Sequence, residues 1–402
     1  MRIFATAGHY TVAMGSGRPE FRPGAEPAPL EDYLRESAQA TLAAAGDQFD
    51  EGVIGNFMAS RFVRQGHLGG FLPAVVPSLL GRPCRRVEGA CSSGGLAIAE
   101  AWRALKSGEA QSVFVAGVEI QNSVKALYCA DILAGAAWFR GMRKEGHAYF
   151  FPDLFSQRAG AYAARHGAES TRRGLARWYE NAILNARTCP EAQEYHNKNP
   201  DLLATGLALP DPKVFLEHLT LSDCSKVSDG AASIALMTEE EAKRRGIDPA
   251  ECLEILSFGG ATGDITQAPP DLTRMSHSGI AARRALDTAG ISPSQLAIAE
   301  LHDCFSITGL LLLEAVGLCS DGQAPQSLED GLGRTHGPRL NRSGGLIGYG
   351  HPTGATGVRQ LVDLWKQLCD PTSKLSKPFG LMVSMGGNDI SASAFVVKNA
   401  AD

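Results

Sequence analysis

Residues 86–105 read RVEGACSSGGLAIAEAWRAL. Beyond the glycine pair, Leu96, Ile98, Ala99, Ala101, Trp102 and Leu105 recur at helical spacing, while Arg86 and Val87 end an extended run. Cys91 therefore stands where a strand turns into a buried helix. Unpaired N–H groups and the helix dipole at such a place favour a thiolate, and can bring a thiol from about 8.5 toward about 3.5–7.5. The small neighbours Ser92, Ser93, Gly94 and Gly95 leave room for a substrate carbonyl to approach the backbone. A cysteine among small residues is more often a packed core thiol, so the role of Cys91 depends on what the rest of the chain brings to it.

Working outward, SVFVAGV at residues 112–118 has the look of a parallel strand covered on both faces. Upstream lie a strand at 3–7, a Gly/Pro/Arg-rich segment at 15–29 and a helix at 30–45 that Gly46 stops. This alternation is an α/β layout. From residue 119 to 220 the pattern changes to aromatic loops at 138–141 and 147–152 and two helices, 155–166 and 171–186, which read as an inserted, partly irregular region. A strand at 227–237 and a charged helix at 239–245 then restart the core.

The remainder reruns the first half, with strands at 251–258 and around Ile298–Leu301, helices at 280–289, 306–316 and 358–368, and closing strands at 378–383 and 390–397 about a turn at 384–389. The expected division is 1–118, 119–220, 221–250 and 251–402. Two related halves that end their loops at one sheet edge gather Cys91, His302, Cys304, His351 and Gly386 there, where open α/β sheets bind ligands.

Composition narrows the function. The chain has 402 residues, net charge −5 and no Lys/Arg run, which argues against a nucleic-acid partner. No apolar stretch reaches 18 residues and the N-terminus lacks the layout of a targeting peptide, so no membrane insertion and a cytoplasmic location are expected. The nine cysteines are scattered without C-x-x-C pairs, as expected of reduced thiols. His302, Cys304 and His351 lack the short spacings usual for zinc, so no metal is expected. His351 lies in a loop with glycines at 344, 345, 348, 350, 354 and 357; a neutral imidazole held there can take a thiol proton and then donate to an oxyanion. In His302-Asp303-Cys304 a second thiol could shuttle a proton if its pKa were tuned.

The turn at Cys91, the His-Asp-Cys-Phe strand end at 302–305, the Gly-His-Pro loop at 350–352 and the Ser-Met-Gly-Gly turn at 384–387, in this order, resemble the thiolase superfamily, and within it the sterol carrier protein-x type. The likeness runs from Ile3 to Val397, with 119–220 matching poorly. It implies two similar βα halves, each with a mixed, mostly parallel sheet, in an α-β-α-β-α arrangement plus an inserted loop domain. Cys91 matches the nucleophile of the family's Cys-x-Ser motif and His351 its Gly-His-Pro histidine. Ser225 falls where a serine contacts coenzyme A, and Ser228–Ala232 looks like the strand that follows. Where most of the family has a late acid/base cysteine this chain has Ser384, which passes that role to Cys304 of the His-Asp-Cys-Phe motif. Asn388 and Asp389 suggest a changed pocket shape.

The resemblance further implies an acetyl-CoA C-acyltransferase of lipid and fatty acid metabolism. It cleaves 3-oxoacyl-CoA with CoA, or runs the reverse Claisen condensation, through an acyl-Cys91. One anion site would use His351 and His302, the other the amides of Cys91 and Gly386. No resident cofactor is implied, since acyl-CoA and CoA are substrates; a homodimer or dimer of dimers is. The aromatic loops at 138–139 and 149–151 could cover an acyl chain. The alternatives are a retro-aldolase or condensing subunit working with an OB-fold acyl-CoA-binding partner, a carrier-protein ketosynthase and a non-enzymatic scaffold.

Overall fold

A computed structural model describes residues 1–143 and 149–402, so the expected loop at His147 and Ala148 lies partly outside the described residues. Among the described residues ten strands form in chain order: β1 Ile3–Tyr10, β2 Glu51–Gly55, β3 Cys84–Val87, β4 Ser112–Glu119, β5 Gly230–Thr238, β6 Leu253–Thr262, β7 Leu296–Leu301, β8 Arg339–Leu340, β9 Phe379–Gly386 and β10 Ser391–Asn399. Seven principal helices accompany them: α1 Leu30–Ala45, α2 Ser93–Ser107, α3 Phe150–His166, α4 Ala168–Ala186, α5 Ser276–Ala289, α6 Ser306–Ala315 and α7 Thr356–Leu368.

The sheet order is β3-β2-β4-β5-β1-β6-β10-β9-β7-β8. Read outward from its centre, each half repeats one scheme. In the first, β2 runs parallel to β3 and β4, and β5 lies antiparallel between β4 and β1. In the second, β7 runs parallel to β8 and β9, and β10 lies antiparallel between β9 and β6. Within each half two pairings are parallel and two antiparallel, so the sheet is mixed rather than mostly parallel as expected, because the last strand of each half returns antiparallel into the middle. The halves meet where β1 pairs with β6, Phe4 opposite Glu254 and Ala5 opposite Leu253.

α1 covers the outer face of the first half and α5 that of the second, while α2 and α7 pack against each other between the strands, giving the five expected layers. The contact between α2 and α7 is backbone on backbone. A Cβ on Gly357 would stand 2.1 Å from the amide nitrogen of Gly95, and one on Gly94 would stand 2.8 Å from that of Gly357. Only glycine permits this approach, and it brings the N-terminal ends of both helices, and the loops that feed them, side by side.

The halves differ in one connection. β9 and β10 are joined by residues 387–390, whereas residues 120–229 intervene between β4 and β5 and contain α3 and α4. Phe150, Phe151 and Pro152, expected in a loop, form the first turn of α3, where proline's missing N–H has no helical partner to lose. Ser384 to Gly386, expected in a turn, complete β9.

Replacing Gly357 with alanine is expected to destabilise the fold by about 1–3 kcal/mol, since neither backbone can retreat without moving a central helix. Urea unfolding measures this; an unchanged midpoint would show that the crossing is looser than described.

Candidate active site

β3 ends at Val87, and Cys91 sits in a single 3-10 turn, Ala90–Ser92, that runs straight into α2. Ser93 closes the turn: its hydroxyl accepts the N–H of Gly89 at 3.1 Å and donates to the Ala90 carbonyl at 2.6 Å. Ala90 holds φ at +53°, a conformation costly for an alanine and retained here by that closure. From the second half, β7 delivers His302, Asp303 and Cys304, and the stretch between the short helix Gly345–Tyr349 and α7 delivers His351.

These side chains converge. One donor atom each of Cys91, His302 and His351 lies within 4.8 Å of the other two, and the two imidazoles meet edge to face with ring centres 5.1 Å apart. Cys91, Cys304, His351 and Ser225 line one cavity of about 300 Å³ whose walls are largely apolar, with Leu133, Phe151 and Phe305 among them. Tyr149 also contributes, but Trp138 does not, so only the second of the two aromatic segments stands over the cavity. The rim includes Lys226, paired with Glu194 and brought down to about 8 by burial, and Ser225, whose N–H donates to the Cys304 carbonyl at 2.9 Å.

Buried polar contacts hold each catalytic candidate. The His351 N–H donates to Ser228 Oγ at 3.0 Å, and Gln121 Nε2 donates to the His351 carbonyl at 3.2 Å. Glu119 accepts five donors, Asn56 Nδ2, the Phe57, Met58 and Gly354 amides and Thr353 Oγ1, and so fastens the loop after His351 to the loop after β2. Asp303 accepts Trp178 Nε1 at 2.9 Å and the Leu346 N–H at 2.7 Å; burial raises its carboxyl to about 6. Glu119, Gln121 and Trp178 carried no signal in the sequence, because each acts on a loop distant in the chain.

The proton arrangement follows from one hydroxyl. Thr356 Oγ1 lies 3.0 Å from the Pro352 carbonyl and 2.7 Å from His351 Nδ1, and only a hydroxyl that donates to the carbonyl and accepts from Nδ1–H satisfies both contacts. Nε2 of His351 is then left with its lone pair, buried and without a partner among the described residues. Burial, reinforced by Arg359, brings His351 down to about 3. Burial and the neighbouring His351 hold His302 well below its usual value, and neither of its ring nitrogens has a partner. Both imidazoles are neutral.

The thiol departs from the sequence expectation. Burial first, then Glu119, pushes Cys91 up to about 12, against the opposing pull of the Gly387 and Cys91 amides. Desolvation exceeds the helix-terminus effect, so the resting pair is a thiol beside a neutral imidazole. Burial and the nearby Cys91 likewise hold Cys304 well above the usual thiol range.

The amide that reaches the Cys91 sulfur is that of Gly387, whereas Gly386 is where β9 presses on the preceding loop: a Cβ there would stand 2.1 Å from the Gly89 carbonyl. Ser384 is fully buried, its hydroxyl lacks a partner, and it is outside the cavity wall, packed toward Gly95. Asn388 and Asp389 also stand outside that wall. Asn388 accepts Arg158 Nε of α3 at 2.6 Å through its side chain. Asp389 accepts the amides of His277 and Ser278 at the start of α5, each at 2.9 Å.

With Cys91 near 12, its thiolate fraction grows about tenfold per pH unit below that value. Carbamidomethylation of Cys91 by iodoacetamide, followed by mass spectrometry, is therefore expected to accelerate continuously from pH 6 to 9; a plateau near neutrality would reveal a preformed thiolate–imidazolium pair.

Comparison with known proteins identifies the family. Residues 260–399 match the family described as "Thiolase C-terminal domain-like", and residues 71–136 match "Beta-ketoacyl synthase, N-terminal domain". An acetyl-CoA acetyltransferase of Methanothermobacter thermautotrophicus is 31% identical over 91% of this chain and 93% of its own length. Sterol carrier protein 2 of Bos taurus is 29% identical over 93% of this chain and 69% of its own length. Among solved structures, the "Ltp2-ChsH2(DUF35) aldolase" superposes with a TM-score of 0.76 at 18% identity, covering 100% of this chain and 98% of that one. Human mitochondrial 3-ketoacyl-CoA thiolase in complex with CoA superposes with a TM-score of 0.69 at 17% identity, covering 99% and 98%. The Methanothermobacter relative, 31% identical and aligned over nearly its whole length, together with the C-terminal family match, makes this chain a member of the thiolase superfamily, near the sterol carrier protein 2 thiolases.

Proposed function

We propose that the protein is a thiolase that moves acyl groups between coenzyme A thioesters through an acyl-Cys91. The observation that carries this reading is the meeting of Cys91, His302 and His351 within 4.8 Å, with Cys91, His351 and Cys304 lining one largely apolar cavity and His302 buried behind them. His351 Nε2 takes the Cys91 proton as sulfur attacks the keto carbon of a 3-oxoacyl-CoA. The oxyanion formed there is met by the amides of Cys91 and the Gly386-Gly387 turn, and removal of one such donor typically costs about 10²–10³ in rate. The carbon–carbon bond breaks toward the thioester, whose enolate oxygen is stabilised by His351 and by His302, directly or through a water that His302 holds, while Cys304 protonates its carbon. Incoming CoA gives its thiol proton to Cys304, attacks the acyl-Cys91 and releases the chain-shortened acyl-CoA; the freed sulfur recovers its proton from His351.

Run backward, the same groups perform a Claisen condensation. Ser225 and Lys226 at the rim are placed to meet the coenzyme A arm, and Leu133, Phe151 and Phe305 to enclose an acyl chain. On this reading the enzyme needs no resident cofactor, works as a homodimer in the cytoplasm and serves lipid metabolism. Cys91 at the centre of the site favours acyl transfer over the retro-aldolase reading.

Intact mass tests the proposal. Wild type mixed with a 3-oxoacyl-CoA series is expected to gain a chain-shortened acyl mass that added CoA removes. Cys91→Ala should gain none, and Cys304→Ala should turn over at least about 10²-fold more slowly. If wild type gains no adduct at any chain length, the reading fails.

A further inference from the structure

We propose that Cys91, His302 and His351 together form a three-ligand site for a thiophilic divalent cation of the Zn²⁺ class, whose binding silences the nucleophile. The three residues come from separate loops, so the local spacing rule that argued against a metal does not apply to them. Their donor atoms already stand within 4.8 Å of one another. Zinc bond lengths of about 2.0–2.3 Å around a tetrahedron need donor separations of roughly 3.3–3.6 Å, within reach of modest side-chain rotations.

Lone pairs are available on all three. His351 Nε2 is unprotonated because Thr356 holds the proton on Nδ1. His302 has a proton on one ring nitrogen and a lone pair on the other in either tautomer, and both atoms are buried without a partner. Two neutral imidazoles and a thiol form a nitrogen–sulfur set that suits Zn²⁺ and contains no carboxylate to hold Mg²⁺ or Ca²⁺. Arg359, the fixed cation that acts on both imidazoles, is paired with Asp363, while Glu119 adds negative potential at the sulfur. Cys91 and His351 face the cavity, which leaves a fourth position for water.

On binding, the Cys91 S–H bond breaks, its proton passes to solvent and a sulfur–metal bond forms, with no change of oxidation state. The lone pair of His351 that would accept the thiol proton is occupied at the same time, so the metal-bound protein cannot be acylated.

The test is Co²⁺ titration of the full-length, metal-stripped protein. One equivalent is expected to produce the sulfur-to-cobalt charge-transfer band with the strong visible bands of a tetrahedral ion, release one proton and be displaced by Zn²⁺. Mg²⁺ should have no effect. The sulfur band should be absent from Cys91→Ala and from protein carbamidomethylated at Cys91, and His302→Ala should bind at least about tenfold more weakly. No sulfur band in wild type, or the same band in Cys91→Ala, overturns the proposal. Acylation of the metal-free protein by a 3-oxoacyl-CoA is scored separately, so failure of metal binding leaves acyl transfer standing and the reverse also holds.

Discussion

The approach of α2 to α7 through Gly94 and Gly357 fixes where every reacting group can stand. Each half of the chain makes a strand, a loop and a central helix, and neither half alone places a thiol beside an imidazole. Because the two central helices touch backbone to backbone at their N-terminal ends, the loop feeding one lies against the loop feeding the other. Cys91 comes from one half, while His302, Cys304 and His351 come from the other, so the site exists only where the halves meet.

Burial then decides the proton inventory. Around this junction the protein removes water, which opposes charge on any side chain left without compensation. Both histidines respond by staying neutral and both thiols by keeping their protons. Glu119 is the contrasting case: five donors surround its carboxylate, though burial still raises its pKa. Charge at the reacting atoms is therefore created during the reaction rather than stored beforehand, in surroundings where fixed amides act strongly.

The repeat was legible because periodicity and motif order survive in a single sequence. α1 appears with the expected bounds, and the loop-to-helix step at Cys91 has its counterpart at His351. β2 was missed, since its glycines at 52 and 55 dilute the apolar pattern, whereas the extended run expected before Cys91 is β3, a half-buried edge strand. The residues that could react were readable by type and position, but their supports were not. Nothing near Glu119 in the chain announces a tie to Gly354, and nothing at Asn388 announces Arg158. The thiol's acidity was misjudged for the same reason: helix position is a local signal, whereas desolvation depends on the whole surround.

Arg158 gives the insertion a mechanical meaning. It rises from α3, the helix whose first turn supplies Phe151 to the cavity wall, and binds Asn388, the residue next to Gly387, whose amide faces the Cys91 sulfur. The guanidinium also donates to the Leu272 and Arg274 carbonyls, so the joint is braced on three sides. The cavity roof and the turn beside the sulfur thus share one joint, so the insertion that separates β4 from β5 is stitched into the heart of the site through a single buried guanidinium.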